Sequence, residues 1–311
     1  MFQCHRLLVP LDGSPLAERA LAPAFAIAHA LSPKNRCQVH LLRVVPPLFL
    51  TVDPLLFAET LSLSEEEAQA YLATVATEWA SQNVPISTAV TTGAVAESLI
   101  SYAQQEDIQL IVMSSHGRSG ISRWVYGSVA EKMLRQACCA SLIVRPGEAP
   151  PPATFRNILV CLDGSPLAEQ VLEPILALAG AMNAKVCLLR VVPPSHLALE
   201  THAMEQLLDT VEDLERDTAD TYLHQLLVKL AAKDLAVSKQ TVIGPAAEVI
   251  IDTAVAQKVD LIAMSSHGRS GMSRWVYGSV TEKVLRGAPC ATFVIRGAES
   301  AHNPANGEAS T

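Results

Sequence analysis

Aromatic residues make up only 5% of the 311 residues and charged ones only 17%, while half are hydrophobic. So few aromatics, with none interleaved among Lys and Arg, argue against the stacking platforms that hold single-stranded nucleic acid. The cores must be built mainly from Leu, Val, Ile and Ala. Positive charge is also short: 23 basic residues face 31 acidic ones, for a net charge of −8. That balance argues against a nucleic-acid partner, which normally meets a basic face. The seven cysteines (Cys4, Cys37, Cys138, Cys139, Cys161, Cys187 and Cys290) form an odd set without CxxC spacing. Paired ligands for zinc are therefore missing, and the set reads as reduced, small, buried residues of a cytoplasmic chain. Long apolar runs are absent as well. The apolar, uncharged stretch 20–33 contains His29, Pro23 and Pro33, and is too short and too broken to span a bilayer. No secretory leader is visible at the amino end. The expectation is a cytoplasmic protein with neither a membrane nor a nucleic acid as partner.

What the chain does have is itself, written twice. Leu11-Asp12-Gly13-Ser14-Pro15-Leu16-Ala17-Glu18 returns 151 positions later as Leu162-Asp163-Gly164-Ser165-Pro166-Leu167-Ala168-Glu169. Leu41-Leu42-Arg43-Val44-Val45-Pro46-Pro47 returns from Leu188 to Pro194 at an offset of 147. The segment 113–135 returns as 264–286 with 20 of 23 positions identical, whereas 48–82 and 195–230 have diverged. Repetition at this length implies two copies of one domain. The boundaries expected are 1–146 and 155–297, with a proline-rich, semi-rigid linker at 147–154 and a polar, disordered tail at 298–311.

Within the first copy, short apolar runs at 6–10, 38–44, 86–91, 109–113 and 141–144 read as strands. Helical patterns fill 16–31, 61–82, 94–105 and 128–136. Pro23 and Pro174 fall inside the first of these helices and its repeat, and are expected to bend them. Apolar strands alternating with helices mean βαβ units, hence an α/β fold. The expectation is two repeated doubly wound domains, each a five-stranded, mainly parallel sheet with helices on both faces. Ligands of such sheets bind beyond the carboxyl ends of the strands, where the repeated motifs fall.

After the first strand, Pro15 suits a first helical position and Ser14 an N-cap. Gly13 permits a tight turn. Asp12 then stands at the mouth of a site, where a carboxylate either accepts bonds from a ribose or base or merely decorates the turn. The longer signal runs from Met113-Ser114-Ser115-His116-Gly117-Arg118 to Tyr126-Gly127-Ser128. Here a strand feeds a Gly/Ser loop and then a helix, so backbone N–H groups and the helix N-terminus can meet phosphate. Arg118 adds charge. Against this, Ser128 and Glu131, like Ser279 and Glu282, have the spacing of a capping box, which would occupy those donors without any ligand. Neither a Walker A loop nor GxGxxG is present. His116 and His267 have no evident catalytic partner. Trp124, Tyr126, Trp275 and Tyr277 read as packing residues. Arg43 and Arg190, at the ends of internal strands, either line the cleft or pair with a carboxylate.

Both copies resemble the universal stress protein family over nearly their whole length. The resemblance rests on the first-strand Asp, the Val-rich end of the second strand, Gly93 and Gly244, and the long glycine loop. Nucleotide-binding members carry G-x2-G-x9-G-[ST]; here the spacing is Ser114-x2-Gly117-x9-Gly127-Ser128 and Ser265-x2-Gly268-x9-Gly278-Ser279. The resemblance implies ATP, an adenine nucleotide accompanied by magnesium or manganese, as the cofactor of a regulatory stress-response protein. It implies contacts from Pro10, Asp12, Gly13, Val44, Met113, Ser114, Gly117, Arg118, Gly127 and Ser128. In the second copy the corresponding residues are Asp163, Gly164, Val191, Met264, Ser265, Gly268, Arg269, Gly278 and Ser279. It also implies that the last strands of the two domains pair within the chain, with a homodimer as a further arrangement. Ser114 and Ser265 replace the first glycine of the pattern, and their side chains either crowd the nucleotide or add a donor. Cys161 stands where the first copy has Pro10. A non-binding interaction module and a slow ATPase remain as alternatives.

Overall fold

The computed structural model describes residues 4–35, 37–47, 54–115, 127–145, 151–194, 202–231, 235–266 and 278–296. The first half runs β1 (Arg6–Pro10), α1 (Pro15–Glu18), α2 (Leu21–Asn35), β2 (Gln38–Val45) and α3 (Pro54–Trp79). A 3-10 turn at Ala80–Gln82 follows, then β3 (Ile86–Thr92), α4 (Val95–Gln105), β4 (Leu110–Ser114), α5 (Ser128–Gln136) and β5 (Ala140–Val144). The second half repeats this order: β6 (Asn157–Leu162), α6 (Pro166–Glu169), α7 (Leu172–Met182), β7 (Lys185–Val192) and α8 (His202–Leu230). It ends with β8 (Val237–Ile243), α9 (Ala246–Ala256), β9 (Leu261–Ser265), α10 (Ser279–Gly287) and β10 (Ala291–Ile295).

Each half is a doubly wound α/β unit of five parallel strands, and the two are fused into one sheet of order β3-β2-β1-β4-β5-β10-β9-β6-β7-β8. Only the central pair, β5 with β10, is antiparallel, in the register Ser141↔Val294, Leu142↔Phe293 and Ile143↔Thr292. Successive strand residues feed opposite faces, as the pleat requires. Leu7, Val9 and Leu41 join Phe25 of α2 and Leu72 of α3 on one face. Leu8, Leu42 and Ile111 join Leu99 of α4 and Met133 of α5 on the other. Both clusters continue into the second half, through Ile158, Leu188 and Leu223 on one side and Leu159, Leu189 and Ile262 on the other. Burial on both faces is why these strands are apolar runs rather than alternating ones.

Two arginines cross between the halves. Arg145, just after β5, donates to the carbonyl of Ala288 at the carboxyl end of α10. Arg296, just after β10, donates to the carbonyl of Arg135 in the last turn of α5, at 3.2 Å. A cation at a helix C-terminus complements both the unpaired carbonyls and the helix dipole.

Three local expectations need correction. The helix expected at 16–31 is two helices, α1 and α2, and Pro23 is the third residue of α2 rather than a mid-helix kink. Pro174 occupies the same place in α7. Proline cannot donate to the carbonyl four residues back, so a helix through 19 or 170 would lose a bond there. The chain instead breaks at that point and restarts with proline in the first turn. The helix expected at 61–82 begins earlier, at Pro54, where the ring suits a first helical residue. Its 3-10 extension is closed by Asn83 in left-handed geometry, φ 53°. Finally, Ser128 and Glu131 form no capping box. Gly127 is the N-cap of α5 and no side chain caps it; Gly278 plays the same part for α10. Glu131 and Glu282 reach forward instead, to Arg135 and Arg286, each at 2.7 Å. The linker residues 147–150 and the tail 298–311 lie outside the described residues.

Candidate nucleotide cleft

The chain winds outward from β1 to β2 and β3, then returns to add β4 on the other side of β1. The gap between β1 and β4 is therefore a topological switch point, where the outgoing loops diverge and leave a crevice. A cavity of about 590 Å³ lies over it, lined by Pro10, Asp12, Val44, Met113, Ser114, Gly127 and Ser128 among others. Seven of the expected ligand contacts, together with Arg43, thus face one space.

The turn after β1 is built as its residues dictate. Gly13 takes φ 82°, a conformation that suits glycine. One Asp12 oxygen, Oδ1, accepts from the Ser14 amide at 2.9 Å and the Ser14 hydroxyl at 2.6 Å. The Ser14 Oγ in turn accepts from the Ala17 amide at 3.2 Å and so caps α1. Asp12 therefore both shapes the turn and lines the cavity; the two readings of it are compatible. The second copy repeats the device, with Gly164 at φ 81° and the Ser165 amide 2.9 Å from Asp163 Oδ1.

On the other wall, the Ser115 amide donates to the Val144 carbonyl at 2.9 Å, and the Gly127 amide donates to the Ser115 carbonyl at 3.0 Å. The two ends of the glycine loop are thereby pinned together. A Cβ added to Gly127 would stand 3.3 Å from the Ser115 carbonyl oxygen, so only a bare backbone fits without adjustment. The first turn of α5 then points its amides and the positive end of its dipole toward the cavity. Ser266 and Gly278 repeat the arrangement at 2.8 and 3.0 Å. One substitution separates the copies here. Ala130, on the first cavity's wall, becomes Thr281, whose hydroxyl turns back to the Ser265 carbonyl at 3.3 Å.

Gly117, Arg118, Gly268 and Arg269 lie outside the described residues, as do His116, His267 and the Trp and Tyr residues of both loops. Gly13 and Gly164 shape the turns that follow β1 and β6. Val191, Met264, Ser265 and Ser279 occupy the same elements in the second half as their counterparts in the first. Sequence reading missed the wall supplied by α3, where Ser64 and Glu67 also face the cavity. It also missed Tyr71, whose hydroxyl donates to Glu18 Oε1 at 2.8 Å while its ring lies under Arg43. Burial, and then the bond to Glu18, push the Tyr71 hydroxyl well above its usual range. Tyr222 stands 151 positions later; that recurrence inside a diverged segment was the available signal.

The universal stress protein family model matches residues 3–145 and again 154–296. The chain belongs to this family. A universal stress protein of Mycobacterium tuberculosis is 28% identical over 194 residues, which is 61% of this chain and 62% of that protein's own length. One from Methanocaldococcus jannaschii is 29% identical over 142 residues, 45% of this chain and 81% of its own. The crystal structure of a universal stress protein from Archaeoglobus fulgidus superposes with a TM-score of 0.70, covering 96% of this chain and 100% of that one. At 19% identity that likeness is one of fold. Among the described residues no helix is long and apolar enough to cross a membrane, and no three His, Cys, Asp or Glu residues gather as a metal site.

Proposed function

We propose that this universal stress protein binds ATP, with magnesium or manganese, in the cleft between β1 and β4 and in its counterpart between β6 and β9. On this reading it acts as a cytoplasmic regulatory module of a stress response, with occupancy setting its shape or partners. The observation that carries the reading is the cavity itself. It brings a carboxylate at the end of β1, the end of β2, and an uncapped helix N-terminus behind a pinched glycine into one space. Its volume of about 590 Å³ falls in the range of about 300–1,000 Å³ usual for small-molecule sites. Phosphates would lie against Gly127, Ser128 and the loop residues Gly117 and Arg118, with the nucleoside toward Asp12 and Val44. The cation would be held by the phosphates, with no dedicated protein cage. Domains at 1–146 and 155–297, joined by the linker 147–154, would stay paired through β5 and β10, so that one chain does the work of a dimer.

Ser114 and Ser265, in place of the first glycine of the loop pattern, favour a second reading, in which the clefts are closed to nucleotide and the protein works through its surfaces. Calorimetry with ATP separates the two. The wild type should bind with a stoichiometry of one or two, and the Gly127→Val, Gly278→Val variant should lose binding while keeping its circular dichroism spectrum. ATP at about 100 times its Kd should also stabilise the fold by about 2.7 kcal/mol. No heat of binding with either metal would leave only the second reading.

A further inference from the structure

Arg43 and Arg190 are the charged residues in the carboxyl halves of β2 and β7, whose strands read QVHLLRVV and KVCLLRVV. A cation there is costly unless something holds it. In the first half Arg43 lies on the cavity wall, with its guanidinium carbon 5.1 Å from the centroid of the Tyr71 ring. That is within the reach of a cation–π contact. Tyr71 is fixed in turn by its bond to Glu18. One residue from β2, one from α3 and one from α1 thus form a rigid stack at the rim. The second half repeats the contact of guanidinium and ring, with Arg190 5.9 Å from the Tyr222 ring. There burial and the nearby Glu169 carboxylate raise the Tyr222 hydroxyl, although its oxygen sits outside hydrogen-bonding geometry. Of α3, only Leu56, Leu63, Ala68, Tyr71 and Leu72 find the same residue 151 positions later. Ala68 and Leu72 are fully buried, which packing explains. Tyr71 keeps a hydroxyl and a polar assignment that packing does not require.

The strand order says what this stack can touch. Leu42 is paired with Pro10, and the Leu11 amide donates to the Leu42 carbonyl at 2.8 Å, so Arg43 and Val44 stand beside Leu11 and Asp12. β4 and the amino end of α5 lie beyond β1, on its other side. Two strand spacings, about 10 Å in all, separate Arg43 from the phosphate end of the cleft. That distance places it over the nucleoside.

We propose that Arg43, and Arg190 in the second half, are ligand-contacting residues that read the nucleoside half of the bound nucleotide, donating to acceptors of the base or ribose. Tyr71 with Glu18, and Tyr222 in the second half, are the positioning residues that aim them. This rests on the nucleotide reading above. A guanidinium offers donors only, so it selects ligands with acceptors at that end; two strand spacings keep it out of direct contact with the phosphates.

The test is calorimetry with ATP, ADP and AMP on the wild type and on Arg43→Met, Arg190→Met. Loss of a charged hydrogen bond predicts weakening of about 10- to 100-fold, by the same factor for all three ligands. Tyr71→Leu, Tyr222→Leu should approach that loss, again without dependence on phosphate number, whereas Tyr71→Phe, Tyr222→Phe keeps the ring and should lose only a few-fold. If the methionine variant melts early, Arg43→Lys, Arg190→Lys retains bulk and charge without the fork, and an intermediate, equally flat loss is expected. Unchanged affinity in these arginine variants overturns the proposal. So does a loss that grows from AMP to ATP, which would make Arg43 a phosphate contact. A wild type that binds none of the three overturns the nucleotide reading as well, a failure visible before any variant is made.

Discussion

At the amino ends of their strands the two halves close the same gap with different residues. In the first, Cys4 and Cys37 meet with their sulfurs 3.4 Å apart, both fully buried. In the second, the equivalent pair is Phe155 and Ala184, one large and one small, again buried. A nearby carbonyl or carboxylate then receives the start of the first strand. Gln109 Oε1 accepts from the His5 and Arg6 amides at 3.0 and 2.9 Å. Asp260 accepts from the Arg156 and Asn157 amides at 2.7 and 3.1 Å. At the carboxyl ends, by contrast, the turn after β1 or β6 and the pinched glycine are the same residue for residue. The stability-bearing end has tolerated any pair of side chains that fills the volume and meets the amides. At the cleft end the turn and the pinched glycine have not changed, and the differences fall on the surrounding wall, at Pro10 and Cys161 and at Ala130 and Thr281.

That contrast can be broken most forcefully at Phe155. Phe155→Ala removes a fully buried ring and should destabilise the protein by about 3–5 kcal/mol, read as a lower urea midpoint. Cys4→Ala deletes a single sulfur and should cost much less. Equal losses would mean that the two plugs are not equivalent in the way their positions suggest. A smaller effect is expected at the cleft. Thr281→Ala removes the hydroxyl bonded to the Ser265 carbonyl and should cost about 1 kcal/mol, while making the second cleft wall match the first, where Ala130 stands.

The smallest effect concerns pH. His40 is buried on β2, with Nδ1 3.0 Å from the Tyr102 hydroxyl, and the second half has Cys187 and Thr253 at these places. Burial holds the imidazole below its ordinary 6.5, outweighing the opposing pull of Glu106; Arg6 lowers it further. The unfolded chain therefore takes up a proton first, and stability is lost as pH falls from about 6.5 toward the folded value. Asp260 acts oppositely. Its burial raises its carboxyl above 3.8, so its contribution is fully present below that value and fades as pH rises through the folded one. Between pH 7 and 5 the wild type should lose thermal stability, and a His40→Leu, Tyr102→Phe variant should lose less. Parallel melting curves for the two proteins would remove His40 from the account.

Most of the architecture was legible in the sequence because strands buried on both faces leave short, unbroken apolar runs, and ten such runs between helical patterns permit few folds. The helix ends were not legible in the same way. Whether Pro23 kinks a helix or begins one depends on where the helix starts, which the neighbouring residues alone do not decide. The apparent capping box at Ser128 and Glu131 failed for a related reason. Gly127 is drawn against the Ser115 carbonyl, and that tertiary contact shifts the cap by one residue. On the cleft, glycines and Asp12 announced themselves through the repeat. Ser64, Glu67 and Tyr71 did not, because α3 is anchored by a few positions at fixed spacing within a segment whose other residues have drifted.

The single antiparallel seam between β5 and β10 has a consequence for what can reach the clefts. Within each half every strand points its carboxyl end toward that half's cleft, and the seam turns one half end over end relative to the other. The two mouths therefore look out in opposite directions. No flat surface can face both ends at once. If both ends bind ligand as proposed, a partner sensitive to both has to reach around an edge of the sheet, or two partners must each read one end.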